Sequence, residues 1–236
     1  MSLVLSKNDS PKMFDEIAGK YDLLNRLLSL GQDEPWRQQI RKCLPSKNIY
    51  DILDIATGTG DVILSLVKDN PAIHTAYGVD LAEGMLEIAK TKVKAAGLQS
   101  KITLQKADAQ ALPFLEQTFD AVTISFGIRN IPDLRLALLE MYRVLKKDGR
   151  VIILEFSLPQ NVLIRVGHWF YINLFVPLLG YLVSGHNSAY RYLAQTIETF
   201  PYGDRFCRIL KQMGFVNVQS KTLMGGVATV YWADKK

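Results

Sequence analysis

Asp51-Ile52-Leu53-Asp54-Ile55-Ala56-Thr57-Gly58-Thr59-Gly60-Asp61 is the stretch whose reading decides the fold. An apolar run rich in Ile and Leu ends in a Gly-x-Gly turn, and an apolar, helix-compatible segment, Val62 to Val67, follows. That order reads as strand, tight turn, helix. Glycine admits positive φ and lets a ligand come close to the backbone. The bare amides at the start of the next helix then face the crevice. Open parallel sheets bind nucleotides and adenosyl cofactors there, at the carboxyl ends of their strands.

Toward the N-terminus, residues 1–10 read as a loose arm. Ser10-Pro11 reads as a helix start, with Phe14, Ile17, Tyr21, Leu24 and Leu28 on one apolar face and Gly31 as the stop. A second short helix, around residues 35–43, carries Trp36 and Ile40. Downstream of the glycine turn, strands and helices alternate. Thr75 to Asp80 reads as a strand. Residues 82–96 read as a helix with Met85, Ala89, Val93 and Ala96 inward. Ile102 to Gln105 and Phe119 to Phe126 read as strands, Leu134 to Lys146 as an amphipathic helix and Arg150 to Phe156 as a fifth strand. The near-continuous apolar run at 119–126 suits a parallel sheet buried on both faces.

The alternation breaks at residues 158–200, the densest apolar and aromatic run. Arg165, His168, Asn173 and Pro177 interrupt it, leaving pieces far shorter than the ~20 residues of a spanning helix. It reads either as buried insertion helices or as an apolar lid over a greasy substrate, with a membrane-surface patch as a further role. After Pro201 a helix over 203–213 and two strands, Gly214 to Ser220 and Ala228 to Trp232, close the chain. The expected organisation is a single domain over 1–236: a helical part (1–46), a cofactor-binding core (47–157), a lid insertion (158–200) and a closing unit (201–236).

The formal net charge of +5 over 236 residues is too mild to argue nucleic-acid binding, but suits an anionic membrane surface or acidic partners. Cys43 and Cys207, far apart and without ligand spacing, point to a reduced intracellular protein. The N-terminus MSLVLSKNDS lacks a signal-peptide pattern. The sequence has no HExxH, cysteine cluster, GxSxG or Walker A pattern.

Ligand-facing features recur at successive strand ends: Gly58-Thr59-Gly60, then Asp80, then Asp108-Ala109, then Ser125 and Arg129. A dinucleotide fingerprint wants a third glycine where this chain has Ile63, which counts against NAD. S-adenosylmethionine, with no pyrophosphate, needs only the first close approach. Asp80, about 20 residues past the turn, suits ribose hydroxyls. Asp108 suits the donor amine of adenine. Competing roles are a helix cap for Asp80, a turn acid for Asp108, backbone-bonding hydroxyls for Thr59 and Ser125, and an ion pair for Arg129.

Read together, DIATGTGD, GVDLAEGML, ADAQALPF, FDAVTISFGIRNIPD, YRVLKKDGRVIILEFSLP and YRYLAQTIETFP resemble the ubiquinone/menaquinone biosynthesis C-methyltransferases. The resemblance runs from about Phe14 to the last strand, and departs from the family's pattern at Tyr231-Trp232. It implies a Rossmann-like class I methyltransferase. That is an α/β fold with a mostly parallel seven-stranded sheet flanked by helices, an N-terminal helical part and a helical lid after the fifth strand. It implies S-adenosylmethionine as cofactor, with Gly58, Thr59 and Gly60 along its methionine part, Asp80 on the ribose, Asp108 and Ala109 on the adenine, and Ser125 beneath. The substrate implied is a prenylated quinol, methylated on a ring carbon by a cytoplasmic protein that visits the membrane's inner face; a homodimer stays open.

The acceptor carbon becomes nucleophilic when a ring hydroxyl loses its proton, so the site needs a base, a water chain or a cation that stabilises the phenolate. Arg129 is the first candidate and Tyr21 the second; His168 and His186 read as structural before catalytic. A non-catalytic adenosyl-binding module docking through 160–184 is the competing reading, and an NAD oxidoreductase a weaker third.

Overall fold

The computed structural model describes residues 6–46, 49–68, 70–175 and 188–236. Val176, Pro177, Leu178 to Val183, His186 and the first five residues of the expected arm lie outside the described residues, as do the side chains of Tyr190 and Arg191.

Helix α1 (Ser10–Leu28) and helix α2 (Asp33–Cys43) precede strand β1 (Tyr50–Ile55). Then come α3 (Asp61–Lys68), β2 (Ile73–Asp80), α4 (Glu83–Ala95), β3 (Ile102–Lys106), β4 (Phe119–Ser125), α5 (Leu134–Val144) and β5 (Leu145–Phe156). Helix α6 (Val162–Phe170) runs into one π turn (Tyr171–Phe175), and α7 (Ser188–Thr199), α8 (Asp204–Gln212), β6 (Val216–Leu223) and β7 (Ala228–Asp234) complete the chain. The sheet order is β3-β2-β1-β4-β5-β7-β6. The ladders β3-β2, β2-β1, β1-β4 and β4-β5 are parallel, while β7 runs antiparallel to both β5 and β6. The sheet is thus mostly parallel, as expected, and antiparallel at one edge, where a short 3-10 turn through Gly225-Gly226 joins the last two strands as a hairpin.

Period-two alternation sends neighbouring strand residues to opposite faces. Leu53, Ile55, Val151 and Ile153 face one layer with Leu138 and Met141 of α5 and Phe206 of α8. Ile52, Ile152 and Leu154 face the other with Ile40 of α2 and Ile63 and Leu66 of α3. Each fully buried Ile or Leu contributes about 1.5–3 kcal/mol. Strand β4 is buried along its length up to Ser125, as its apolar run requires.

Several element limits shift by a few residues from the sequence reading. Leu145 and Lys146 leave the α5 pattern and pair in β5, because Leu145 stands opposite Phe119 in the ladder. Ala96 is an exposed C-cap, and Leu86 fills the inner face of α4 instead. Within the expected arm, residues 7–9 form a 3-10 turn whose Lys7 Nζ donates to the Ile131 carbonyl at 3.1 Å.

Helix α1 behaves unlike the others. Met13, Ala18 and Leu24 are buried, yet Phe14, Ile17 and Tyr21 are only half-buried. Those three line a hollow rather than a packed core. Between β1 and α3, Gly60 has φ +83, and a Cβ there would stand 3.1 Å from the Ala89 Cβ. Gly60→Ala combines left-handed strain with crowding, so urea unfolding should show a loss of about 1–3 kcal/mol.

Candidate active site

The strand order reverses at β1, whose neighbours are β2 on one side and β4 on the other. Loops leaving such a point diverge and open a crevice. Two adjoining hollows occupy it, about 270 Å³ and about 150 Å³. Phe14, Tyr21, Ala56, Gly58, Ser125 and Phe126 line both, so they form the passage between them.

The larger hollow gathers Asp80, Asp108 and Ala109 with Gly58 and Ser125. The Gly58 amide donates to Asp80 Oδ2 at 2.8 Å, and the Ala82 amide to Oδ1 at 2.9 Å. Asp80 therefore ties the glycine turn to the start of α4 as well as facing the hollow. Burial pushes its carboxyl up, against these amide bonds. Asp108 Oδ1 accepts from the Gln110 amide at 2.8 Å, so the turn role exists beside the wall position. Ser125 Oγ is buried and has no partner among the described residues. The Asn130 Oδ1 on the same wall is also unpaired. These orphaned atoms, an acid at the β2 end and an open glycine (a Cβ on Gly58 would meet nothing nearer than Tyr21 at 4.0 Å) fit an adenosyl group.

The smaller hollow is more apolar and aromatic. Trp36 of α2 lies with its ring 5.5 Å from Phe126 and 6.2 Å from Phe156, and those two rings are 4.4 Å apart. Arg129 and Tyr21 line it as well. Arg129 Nη1 donates to Glu155 Oε1 at 2.8 Å and to the Phe126 carbonyl, while its guanidinium lies 5.2 Å from the Phe156 ring centre. Arg129 is thus both a wall residue and half of a buried ion pair. Burial raises the Tyr21 phenol above its usual value, so the group is held protonated.

Two residues at strand ends sit in the left-handed region, Ala56 (φ 51) and Phe126 (φ 54). They turn the chain away from the sheet at the passage itself. Gly127 must lack a side chain, since a Cβ there would stand 2.5 Å from the Ala56 Cβ. Thr59 Oγ1 donates to Asp22 Oδ1 at 2.6 Å, so its partner is a carboxylate on α1 and not backbone. Lys92 joins Asp22 Oδ2 at 2.5 Å to Asp61 Oδ1 at 2.6 Å.

Sequence reasoning missed Asp22, Asp61, Lys92 and Glu155, and did not place Trp36 in the site. Their spacing carries no local motif; only the Asp that follows Tyr21 on a half-apolar helix hinted at a function. Gly60 closes the turn against Ala89 and lines neither hollow. His168 is buried and lines neither. Tyr231, where the chain departs from the resembled pattern, is a core residue whose hydroxyl accepts from the Gly203 amide at 2.7 Å. No group of three His, Cys, Asp or Glu suited to a metal occurs among the described residues.

The model of the ubiE/COQ5 methyltransferase family matches residues 3–235. The chain belongs to that family. The methyltransferase is 44% identical over 224 residues to a ubiquinone/menaquinone biosynthesis C-methyltransferase of Geotalea uraniireducens, covering 95% of each chain. It is 42% identical to a demethylmenaquinone methyltransferase of Bacteroides fragilis, covering 95% of this chain and 91% of that one. A Thermotoga maritima S-adenosylmethionine-dependent methyltransferase shares the fold, with TM-score 0.68, 19% identity and coverage of 95% and 99%. So does the [4+2]-cyclase SpnF, with TM-score 0.69, 15% identity and coverage of 98% and 97%. The Rossmann-like fold is therefore that of the class I methyltransferases, and the family, rather than the fold, separates this enzyme from a cyclase.

Beneath the glycine turn, Asp54 is 1% exposed and accepts from Thr57 Oγ1 at 2.7 Å and Thr123 Oγ1 at 2.6 Å. Burial pushes its carboxyl up from 3.8 to about 6, although both hydroxyls pull it down. Between those values the folded methyltransferase keeps a proton that the unfolded chain has released. Stability from this group is thus full below about 4 and is lost as pH rises through about 6. Asp54→Asn should remove that slope and gain up to about 3 kcal/mol at pH 7.5 relative to the parent, read by urea unfolding at pH 4.5 and 7.5.

Proposed function

We propose that the methyltransferase transfers the methyl of S-adenosylmethionine to a ring carbon of a prenylated quinol, with demethylmenaquinol as first candidate. The observation that carries this reading is the pair of adjoining hollows: one walled by Asp80, Asp108 and unpaired Ser125, the other by aromatic rings and Arg129. The family membership and the names of its relatives support the quinone-precursor substrate.

In this reading Asp80 holds the ribose, Asp108 and Ala109 the adenine, and Gly58, Thr59 and Ser125 the methionine end, with Gly60 shaping the turn. When bound, the cofactor supplies an electrophilic methyl on a sulfonium, which departs as a neutral thioether. The chain's own residues do the rest. Helices α1 and α2 wall the acceptor hollow and exclude water, which strengthens every charge inside. Arg129 stabilises the oxygen once its proton has passed to solvent, and the phenolate so favoured carries high electron density on the ring carbon. That carbon forms the new C–C bond, and its displaced proton leaves to solvent. Tyr21, protonated at neutral pH, positions the ring from the passage.

The whole chain acts as one methyltransferase domain, cytoplasmic and docked peripherally. No helix among the described residues is long and apolar enough to cross a membrane. Helix α6 exposes Val162, Leu163, Val166, Trp169 and Phe170, each at least half exposed, and the net charge is +5. An apolar face with a tryptophan on a basic protein suits an anionic lipid surface, where the prenyl tail resides. Cosedimentation with vesicles containing phosphatidylglycerol should be detectable, and Leu163→Glu with Trp169→Glu should abolish it without lowering the thermal midpoint.

Incubation with S-adenosylmethionine and each reduced demethyl-quinone should give product 14 mass units heavier, as one CH2 is gained. Asp80→Ala should weaken cofactor binding at least tenfold by calorimetry, because it removes a charge-assisted acceptor. Unchanged affinity in that variant, or absence of product with every quinol, would refute the reading.

A further inference from the structure

Polar groups buried in a folded chain nearly always have partners. Trp36 Nε1, Arg129 Nε and Ser125 Oγ are buried and unpaired, and all three belong to residues lining the acceptor hollow. Trp36 is 4% exposed, and it lines the hollow. The indole N–H can only donate. Its ring packs edge-on against Phe156, and the Arg129 guanidinium lies 5.2 Å from the centre of that same ring. Two residues flanking one aromatic pair, Phe126 and Phe156, therefore each carry an N–H with no acceptor. Phenylalanine at 36 would pack there without leaving a donor stranded, so the indole points to an acceptor that arrives with the ligand.

We propose that the Trp36 indole N–H binds a ring oxygen of the quinol, as a second donor beside Arg129. The proposal rests on the quinol reading above and adds the residue that selects and positions the ring. A flat ring with oxygens at opposite edges lies against Phe126 and Phe156 and presents one oxygen to each donor. A donor bonded to an anionic oxygen is stronger than one bonded to the neutral hydroxyl, so Trp36 also favours the deprotonated quinol. The helix around it is fixed in advance: Arg37, next in sequence, pairs with Asp33 Oδ2 at 2.6 Å and Asp61 Oδ2 at 3.3 Å, tying α2 to α3.

The test compares the wild-type chain with Trp36→Phe, using labelled methyl donor and a short-tailed demethylmenaquinol. The expected result is a fall of roughly tenfold to a hundredfold in kcat/KM for the quinol, with the KM for S-adenosylmethionine unchanged. The pH at half-maximal kcat should rise by roughly one unit or more, because that profile reports the bound quinol, and a purely structural role would not produce the shift. A second measurement needs no change at 36. In 15N-tryptophan-labelled wild-type protein, the Trp36 indole signal, identified by elimination with Trp169→Phe and Trp232→Phe, should move downfield when the quinol is added. A Trp36→Phe enzyme with unchanged kcat/KM and pH profile, or an unmoved indole signal, overturns the Trp36 assignment alone. A wild-type chain that methylates no quinol overturns the substrate reading and this assignment together.

Discussion

The hydrogen bond from the Gly58 amide to the Asp80 carboxylate, 2.8 Å long, joins the ends of two neighbouring parallel strands. Everything at the site follows from that closeness. It holds the turn after β1 against the turn after β2, and so fixes one wall of the larger hollow. Ala56 and Phe126 take left-handed conformations on either side of the passage, and Gly127 fits only because it has no Cβ. Such strain survives where the surrounding structure over-determines it, and here the buried ladder β2-β1-β4-β5 does so.

The second constraint is charge placed out of water. Asp54 lies below the turn with two threonine hydroxyls as its partners among the described residues, and Glu155 lies at the end of β5 paired with Arg129. Burial raises both carboxyls, and the arginine opposes that for Glu155. A buried pair of this kind adds little net stability, but removing one member costs about 3–5 kcal/mol. The pair is therefore better understood as placement: it holds a guanidinium, with its buried Nε–H unspent, at the wall of an aromatic hollow.

Helix α1 is the movable-looking part of an otherwise layered fold, yet it is pinned. Asp15 accepts from the Gly84 amide at 2.7 Å, and Asp22 joins Thr59 and Lys92. Pairs this exposed are worth about 0.2–1 kcal/mol each, so their effect is on where α1 sits rather than on stability. By standing over the glycine turn, α1 converts an open crevice into two hollows with a common passage. SpnF, a [4+2]-cyclase, has the same fold, so the sheet alone leaves the chemistry open.

The sequence by itself determined the strand–turn–helix at 51–67, the alternation through Phe156, the absence of a third glycine at Ile63 and the acids at 80 and 108. These are local: periodicity, turn chemistry and spacing set them within a dozen residues of each other. It also placed Arg129 at the β4 end, since strand length fixes where a loop begins. Only the tertiary structure decided that Asp22 meets Thr59, that Glu155 meets Arg129 across 26 positions and that Trp36 of α2 walls the same hollow as Phe156. No pattern along the chain encodes those meetings, because they arise from how α1 and α2 pack onto the finished sheet, and packing is read from shape and burial rather than from order in sequence.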